Sequence, residues 1–207
     1  MDLKTDTLTL RTKGVRFPNS VVIRILDVTL SGVGLIVTAP ILLVSLILVE
    51  STTGGSGIFR QERVGMNRRP FICLKLRTMR MDTPSAASHD VGRSAITPVG
   101  RFLRRTKLDE LPQLWNVLRG DMSLVGPRPC LPIQTELIEA RERLGVFRVR
   151  PGVTGPAQIL GIDMSQPARL AEADANWLKD QSVVSYLKAV MFTALGKGRG
   201  DPADRRS

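Results

Sequence analysis

The chain has 207 residues and a formal net charge of +11, which indicates a polyanionic partner: nucleic acid, an anionic membrane surface or a phosphorylated small molecule. The two cysteines, Cys73 and Cys130, lack metal-ligand spacing and His89 is the single histidine, so a zinc centre is excluded and the cysteines are expected to be reduced thiols. No Gly-rich phosphate loop ending in Lys-Ser or Lys-Thr is present, which excludes nucleotide hydrolases of that type.

The first residues, 1–19, form a polar, basic segment, and a strongly apolar stretch follows them. From Val28 to Val49 the chain runs for 22 residues without a charge. A continuous helix of that length measures roughly 33 Å, enough to span a bilayer. Pro40 lies near its centre and is predicted to bend the helix, because proline removes a backbone hydrogen bond. Residues 20–52 are therefore predicted to be a proline-broken membrane helix.

Basic residues lie on both sides of this helix, which bears on its path through the membrane. Clusters of Lys and Arg prefer the cytoplasmic side. A re-entrant helix keeps both flanks on that side, whereas a straight span keeps only one. We favour the re-entrant path, with a single span as the alternative. At the entrance, Arg24 and Asp27 either anchor the segment at the lipid headgroups or form a solvated helix pair.

A β-hairpin is predicted after the membrane helix. Small residues from Ser51 to Gly57 are interpreted as a linker at the membrane boundary. The stretches Ile58–Val64 and Phe71–Met79 both have strand-like patterning, and Gly65-Met66-Asn67 lies between them.

The second predicted strand carries two basic residues on one face. Lys75 and Arg77 alternate along it, so they are either phosphate contacts or solvated side chains. Residues 81–97 lack periodicity and are predicted to be a mobile loop beside the site. His89 lies in that loop and is interpreted as incidental to catalysis.

Two adjacent carboxylates, Asp109 and Glu110, lie in a basic neighbourhood. Cations bind phosphate oxygens and can also keep a carboxylate ionised and nucleophilic, as a site for phosphorylated substrates requires. An acid in the first turn of a helix is usually only a cap, which is the alternative interpretation. The surrounding basic residues are Arg101, Arg104, Arg105 and, in the turn Gly126-Pro127-Arg128-Pro129, Arg128.

The helix after these acids has two predicted starts. Either Thr106 is the N-cap and Asp109 completes a capping box, or Pro112 occupies the first helical position and the acids lie just ahead of it. Gly120 ends the helix in both versions, and both place the acids near the positive end of the helix dipole. The predicted buried stripe consists of Leu111, Leu114, Trp115 and Leu118.

The last third of the chain is predicted to be mainly helical. Two prolines fix the backbone around Arg128, which favours bidentate phosphate binding by its guanidinium. Helices are predicted over Ile133–Leu144, 168–180 and Val183–Leu195. The last of these is either part of the core or lies in the membrane interface.

Five motifs follow the apolar stretch in a fixed order, and together they resemble the bacterial sugar transferases, that is, monotopic phosphoglycosyl transferases. The resemblance covers residues 20–196. The motifs are Gln61-Glu62-Arg63-Val64-Gly65, Lys75-Leu76-Arg77-Thr78-Met79, Leu108-Asp109-Glu110-Leu111-Pro112-Gln113-Leu114, Asp121-Met122-Ser123-Leu124-Val125-Gly126-Pro127-Arg128-Pro129 and Arg150-Pro151-Gly152-Val153-Thr154-Gly155. The chain departs from residues frequent in the family at Ala39, Lys107, Pro156 and Gly161-Ile162-Asp163, so the sugar is not predicted.

The resemblance implies a reaction. A sugar-1-phosphate passes from a UDP-sugar to a polyprenyl phosphate such as undecaprenyl phosphate, UMP is released, and a surface glycan such as lipopolysaccharide or exopolysaccharide is begun. Asp109 is the implied nucleophile of a covalent phosphosugar intermediate, and Glu110 is the implied ligand of Mg²⁺. Candidates for binding the substrate phosphates are Arg128, Arg104 and Lys75.

The expected fold is α+β and mainly helical, with a short β-hairpin, a proline-broken re-entrant membrane helix and interfacial amphipathic helices. We expect a basic segment at 1–19, the membrane helix at 20–52, a catalytic domain at 53–196 and a flexible tail at 197–207. The resemblance places the catalytic domain on the cytoplasmic face of the bacterial inner membrane. The residues expected to anchor the membrane segment are Arg24, Asp27 and Pro40.

A rival interpretation is a membrane-tethered protein that binds nucleic acid. Aromatic residues make up only 4% of the chain, and no surface of interleaved basic and aromatic residues is evident. A second rival is a membrane enzyme that uses the same acids on another phosphate donor. We therefore expect a UDP-sugar, polyprenyl phosphate and an anionic membrane as partners, no nucleic acid, and leave a homodimer open.

Overall fold

The computed structural model describes residues 20–83, 95–162 and 164–195. Within these ranges the chain forms seven α-helices and two pairs of short strands. This mainly helical arrangement with an antiparallel hairpin confirms the predicted class in its coarse form. The basic N-terminal segment, His89, Asp163 and the tail from residue 197 lie outside the described residues.

Helix α1 is a single long apolar helix, Ser20–Thr53, and Pro40 lies inside it without interrupting it. By length and composition this helix could cross a bilayer, and most of its side chains are exposed. The predicted linker at Ser51–Gly57 begins too early, because the hydroxyls of residues 51–53 still donate to carbonyls one turn back. Whether the helix is re-entrant stays a prediction.

The hairpin is confirmed. Strand β1, Ile58–Val64, pairs antiparallel with β2, Pro70–Leu76, around a 3₁₀ turn at Met66–Arg68. The second strand ends three residues earlier than predicted. Met79 instead forms an isolated antiparallel bridge with Ile96, on the far side of the loop.

The acidic pair lies between two helices. Helix α2 is Pro98–Thr106, and helix α3 is Gln113–Arg119. The version with Thr106 as N-cap is wrong, because Thr106 is the last residue of α2 and its hydroxyl donates to the carbonyls of Phe102 and Leu103. The version with Pro112 is close, since Pro112 immediately precedes the first residue of α3.

The predicted buried stripe of α3 is wrong. Trp115 is 52% exposed, Leu111, Leu114 and Leu118 are only half-buried, and the buried residues are Gln113, Asn116 and Val117. Asn116 explains the difference. Its Oδ1 accepts from the Leu74 amide at 3.0 Å and its Nδ2 donates to the Ile72 carbonyl at 2.7 Å, so the polar side of α3 is held against β2. Gly120 ends the helix with a φ of 92°, as predicted.

The remaining elements pack behind the acids. A parallel pair of strands, β3 (Ser123–Val125) and β4 (Gly152–Thr154), was not predicted. The predicted helices of this region are confirmed to within two residues. They are α4 (Thr135–Arg143), α6 (Pro167–Lys179) and α7 (Val183–Ala194), with a short α5 (Pro156–Ile159) between β4 and α6. The main apolar cluster here consists of Cys130, Leu137, Ala140, Phe147, Ala157, Leu170 and Ala171.

The start of α1 is docked onto this domain by two polar side chains. Asp27 is 2% exposed, and its Oδ1 accepts from Ser123 Oγ at 2.9 Å, the Leu124 amide at 2.8 Å and Tyr186 Oη at 2.7 Å. Arg24 donates to the carbonyls of residues 117 and 118 at 2.7 and 2.9 Å, at the end of α3. A solvated Arg24–Asp27 pair is therefore wrong. Headgroup anchoring by these residues and Pro40 stays a prediction.

Candidate active site

A break between α2 and α3 presents the two acids. Lys107 adopts a left-handed conformation, with φ at 58°, and this ends α2. A single 3₁₀ turn, Leu108–Glu110, follows before α3 begins. Both carboxylates therefore lie on a short, sharply turned segment beside strand β2.

Glu110 is held by two cations. Its Oε1 accepts from Lys75 Nζ at 3.0 Å and from Arg128 Nη2 at 2.8 Å. Burial alone would raise the pKa of Glu110, but the charges and hydrogen bonds of Arg128 and Lys75 outweigh it and lower the pKa below its usual range. Glu110 is consequently ionised throughout the physiological range.

Asp109 has different surroundings. It is 8% exposed, and within the described part of the chain its carboxylate accepts no hydrogen bond. Burial, and after it the charge of Glu110, raises the pKa of Asp109 to about 6 against the opposing charges of Lys75, Arg104 and Arg128. Near neutral pH this gives an ionised carboxylate whose oxygens are not engaged, as nucleophilic attack on an electrophilic centre requires.

All of the predicted phosphate-binding residues lie around this pair. The charge of Glu110 raises the pKa of Arg128 above its ordinary value, and burial opposes this rise only in part. Arg104 donates from Nε to Thr78 Oγ1 at 2.9 Å, and its charge reaches Asp109. Strand β2, helix α2 and the turn after β3 thus bring Lys75, Arg104 and Arg128 to one site, while their roles stay predictions.

The turn carrying Arg128 is fixed to β4 by its backbone. The Gly126 amide donates to the Thr154 carbonyl at 2.9 Å, and the Gly152 amide donates to the Pro127 carbonyl at 2.9 Å. A Cβ on Gly152 would overlap the Gly126 backbone. Only glycine permits this close approach, so the β3–β4 pair determines where the turn lies.

Sequence reasoning assigned no role to Arg63, which supports the same turn from the hairpin. Its Nη1 donates to the Pro129 carbonyl at 2.9 Å, and its Nη2 donates to Gln61 Oε1 at 2.6 Å. Burial and the neighbouring charge of Arg128 lower the pKa of Arg63 to about 10. Its place in the Gln61-Glu62-Arg63 motif, on the same face of β1 as Gln61, is the signal that could have identified it.

A buried ion pair, Arg141 with Asp174, was also missed. It joins α4 to α6, and the guanidinium also reaches the backbone of Arg128. Arg141 and Asp174 lie in stretches that were predicted only to be helical, and nothing in the sequence distinguishes them from the other charged residues of those helices.

Comparison with known proteins places the sequence of this chain in a family. A model described as bacterial sugar transferase matches residues 18–197. A UDP-glucose:undecaprenyl-phosphate glucose-1-phosphate transferase of Caulobacter vibrioides is 40% identical over 179 residues, which cover 82% of this chain and 67% of the relative. A Klebsiella pneumoniae protein of the same name is 37% identical and matches 84% of this chain and 40% of its own length. An exopolysaccharide production protein of Sinorhizobium fredii is 35% identical, with 82% of both chains covered. The chain belongs to the bacterial sugar transferase family.

Proposed function

We propose that this chain transfers a sugar-1-phosphate from a UDP-sugar to undecaprenyl phosphate and so begins the synthesis of a surface glycan. The names of the Caulobacter and Klebsiella relatives support this donor and acceptor, and that of the Sinorhizobium relative supports a role in exopolysaccharide production. The net charge of +11 suits two anionic substrates.

The observation that carries the mechanism is the contrast between the two carboxylates. Glu110 is bonded by Lys75 and Arg128, whereas Asp109 lies beside it without a hydrogen bond from the described residues. In the proposed first step, a carboxylate oxygen of Asp109 attacks the phosphorus that bears the sugar. The bond from that phosphorus to the bridging oxygen breaks, and UMP leaves.

The second step regenerates the enzyme. A phosphate oxygen of undecaprenyl phosphate attacks the same phosphorus, and the bond to the Asp109 oxygen breaks. The product is a lipid diphosphate carrying the sugar, and Asp109 returns as a carboxylate. Arg128, Arg104 and Lys75 bind phosphate oxygens through both steps and offset the repulsion between the anionic reactants.

Glu110 also fits a Mg²⁺ site that substrate would complete. Among the described residues no group of three or more His, Cys, Asp or Glu side chains lies together. Mg²⁺ commonly takes only one or two carboxylates, and substrate phosphates and waters fill the other positions. Lys75 and Arg128 both bond Oε1 of Glu110, which leaves its other oxygen for a cation beside Asp109. When bound, the ion would neutralise charge on the donor diphosphate.

We further propose that the enzyme lies at the bacterial inner membrane with its catalytic domain on the cytoplasmic face. Helix α1 supports this, since it is apolar, long enough to cross a bilayer and mostly exposed. In the re-entrant arrangement both ends of α1 face the cytoplasm. Labelling of cysteines introduced at Val28 and Ser51, both of which are exposed, with a membrane-impermeant reagent tests the path, because a straight span places these positions on opposite sides.

Asp109→Asn tests the chemistry. We expect it to abolish UMP release from every UDP-sugar that the wild type uses, because an amide cannot replace the attacking carboxylate. The measurements are UMP release and the mass of protein incubated with donor alone, which should rise by one phosphosugar in the wild type and not in Asp109→Asn. The surface variant Glu172→Gln serves as the control and should match the wild type. Full turnover by Asp109→Asn would refute the proposed nucleophile.

Glu110→Gln tests the metal site. We expect the Mg²⁺ concentration for half-maximal UMP release to rise, because an amide is a weaker magnesium ligand than a carboxylate. A panel of UDP-glucose, UDP-galactose and UDP-N-acetylgalactosamine identifies the donor in the same assay. An unchanged Mg²⁺ titration would assign Glu110 a role other than metal binding.

A further inference from the structure

A fully buried arginine lies behind the candidate active site. Arg141, on α4, is 1% exposed, and so is its partner Asp174 on α6. Arg141 donates from Nε and Nη2 to the same oxygen of Asp174, Oδ2, at 3.1 and 2.6 Å. The third guanidinium nitrogen, Nη1, does not bond Asp174.

That nitrogen contacts the active-site turn. Nη1 of Arg141 donates to the backbone carbonyl of Arg128 at 2.7 Å. The Arg128 side chain in turn donates to Glu110 at 2.8 Å. Hydrogen bonds therefore link Asp174 to Arg141 and Arg141 to the backbone of Arg128. The side chain of Arg128 in turn bonds the carboxylate next to the proposed nucleophile.

Stability alone does not account for this pair. Burying two charges costs free energy, and an apolar pair of similar volume is often as stable. Helices α4 and α6 already share an apolar cluster that includes Leu137 and Leu170. Among the described residues, the second oxygen of Asp174, Oδ1, is buried and has no hydrogen-bond partner. What the arginine supplies and an apolar residue cannot is a planar fork that bonds a carboxylate and a carbonyl at the same time.

We propose that Arg141 and Asp174 are positioning residues, which hold the backbone of Arg128 so that its guanidinium reaches Glu110 and the phosphates of a nucleoside diphosphate substrate. Asp174 fixes the orientation of the Arg141 guanidinium, and Arg141 fixes the carbonyl of Arg128. Neither residue touches the substrate. The inference rests on the proposed function, because it takes Arg128 as a phosphate ligand.

A double-mutant cycle between this pair and Arg128 tests the inference. The paired variant Arg141→Met/Asp174→Leu removes both buried charges together. Arg128→Lys replaces the guanidinium that the pair is proposed to position with a single ammonium group. The readout is the Kd of UDP, measured by calorimetry on the full chain in detergent, which requires no turnover. Thermal unfolding shows whether each variant is folded.

If the pair acts through Arg128, the effects of the paired variant and of Arg128→Lys on the Kd of UDP are not additive. We expect each variant alone to raise the Kd of UDP about fivefold to tenfold, and the combination to bind no more weakly than Arg128→Lys, within about twofold. The control, Glu142→Gln, changes an exposed charge next to Arg141 on α4 and should leave the Kd unchanged. Should the paired variant fail to fold, Arg141→Lys replaces it, because a single ammonium keeps a charge for Asp174 without the two-sided fork.

Two results would overturn the inference. One is a Kd for the combined variant equal to the product of the separate effects, which indicates independent structural damage. The other is an unchanged Kd in the folded paired variant or in Arg128→Lys. Failure of the proposed function has a different signature, since UMP release from the UDP-sugars would then be missing in the wild type whatever the cycle shows.

Discussion

Asp109 and Glu110 are neighbours in sequence, yet their carboxylates meet different surroundings. Glu110 points to Lys75 and Arg128, which stabilise its charge. Asp109 is buried beside that charge and gains no hydrogen bond within the described chain. The fold thus keeps one carboxylate in a stable ion pair and leaves the other at a cost in stability, as reactive groups often require.

That cost gives a prediction for Asp109→Asn that does not depend on activity. A rise in the pKa of Asp109 from its ordinary 3.8 to about 6 corresponds to about 3 kcal/mol of lost stability when the group is ionised. The folded state binds this proton more tightly than the unfolded state, so the loss is complete above pH 6 and vanishes below pH 4. We expect the variant to be more stable than the wild type at pH 8, by about 1–3 kcal/mol.

Denaturant unfolding of both proteins from pH 4 to pH 8 measures this difference. Glu110→Gln is the matched comparison and should have the opposite sign, because Glu110 is stabilised by Arg128 and Lys75. A difference between Asp109→Asn and the wild type that stays constant over the whole pH range would show that ionisation of Asp109 does not destabilise the fold.

The residues found from the sequence and those missed differ in what they contact. Asp109, Glu110 and Arg128 lie in motifs whose order resembles a known family, so they could be named before the structure. Arg63 and Arg141 instead donate to the backbone carbonyls of residues 129 and 128. Every residue has a backbone carbonyl, so the sequence does not show which carbonyl such an arginine contacts, even where a motif draws attention to the arginine itself, as it does for Arg63.

At the scale of elements, the hairpin and the last helices follow from local patterning, whereas the burial of α3 does not. Periodicity places Leu and Trp side chains inside, because apolar residues usually face the core. Asn116 overrides this by bonding the backbone of β2 on both its donor and acceptor sides. The backbone groups that Asn116 satisfies belong to a strand more than forty residues earlier in the chain. A local stretch of sequence therefore cannot show why Asn116 is buried.

The docking of α1 supports a prediction about Asp27. Asp27→Ala leaves three donors without their acceptor, on Ser123, Leu124 and Tyr186. We expect stability to fall by about 3 kcal/mol, because buried unsatisfied groups cost about 1–3 kcal/mol each and some relax toward water. Tyr186→Phe removes one of the three bonds and should cost about 1 kcal/mol. Thermal unfolding in detergent measures both changes.

Ser31 provides the control on the same face of α1. It lies one turn after Asp27, is fully buried, and its hydroxyl has no partner in the described chain. Ser31→Ala should therefore leave stability unchanged or raise it slightly. Equal unfolding midpoints for Asp27→Ala and Ser31→Ala would mean that the three hydrogen bonds do not hold the helix to the domain.

At the scale of the whole molecule, apolar surface is concentrated on two helices that touch. Along α1 most apolar side chains are exposed. On helix α7, Tyr186 and Ala189 are buried against β3, as expected of a core helix, while another side of the helix is exposed and apolar. That exposed stripe consists of Val184, Leu187, Met191 and Leu195. An exposed apolar stripe of this kind marks an interaction site, and a lipid interface fits its chemistry.

We therefore predict that the exposed stripe of α7 is shielded by lipid. In vesicles, a charged maleimide should label Met191→Cys several-fold more slowly than Glu172→Cys, because Glu172 is a charged, exposed position on α6, outside the stripe. The native Cys73 and Cys130 are buried and contribute little background. In denaturant the two variants should label at the same rate, which controls for intrinsic reactivity. Equal rates in vesicles would place α7 in water and confine membrane contact to α1.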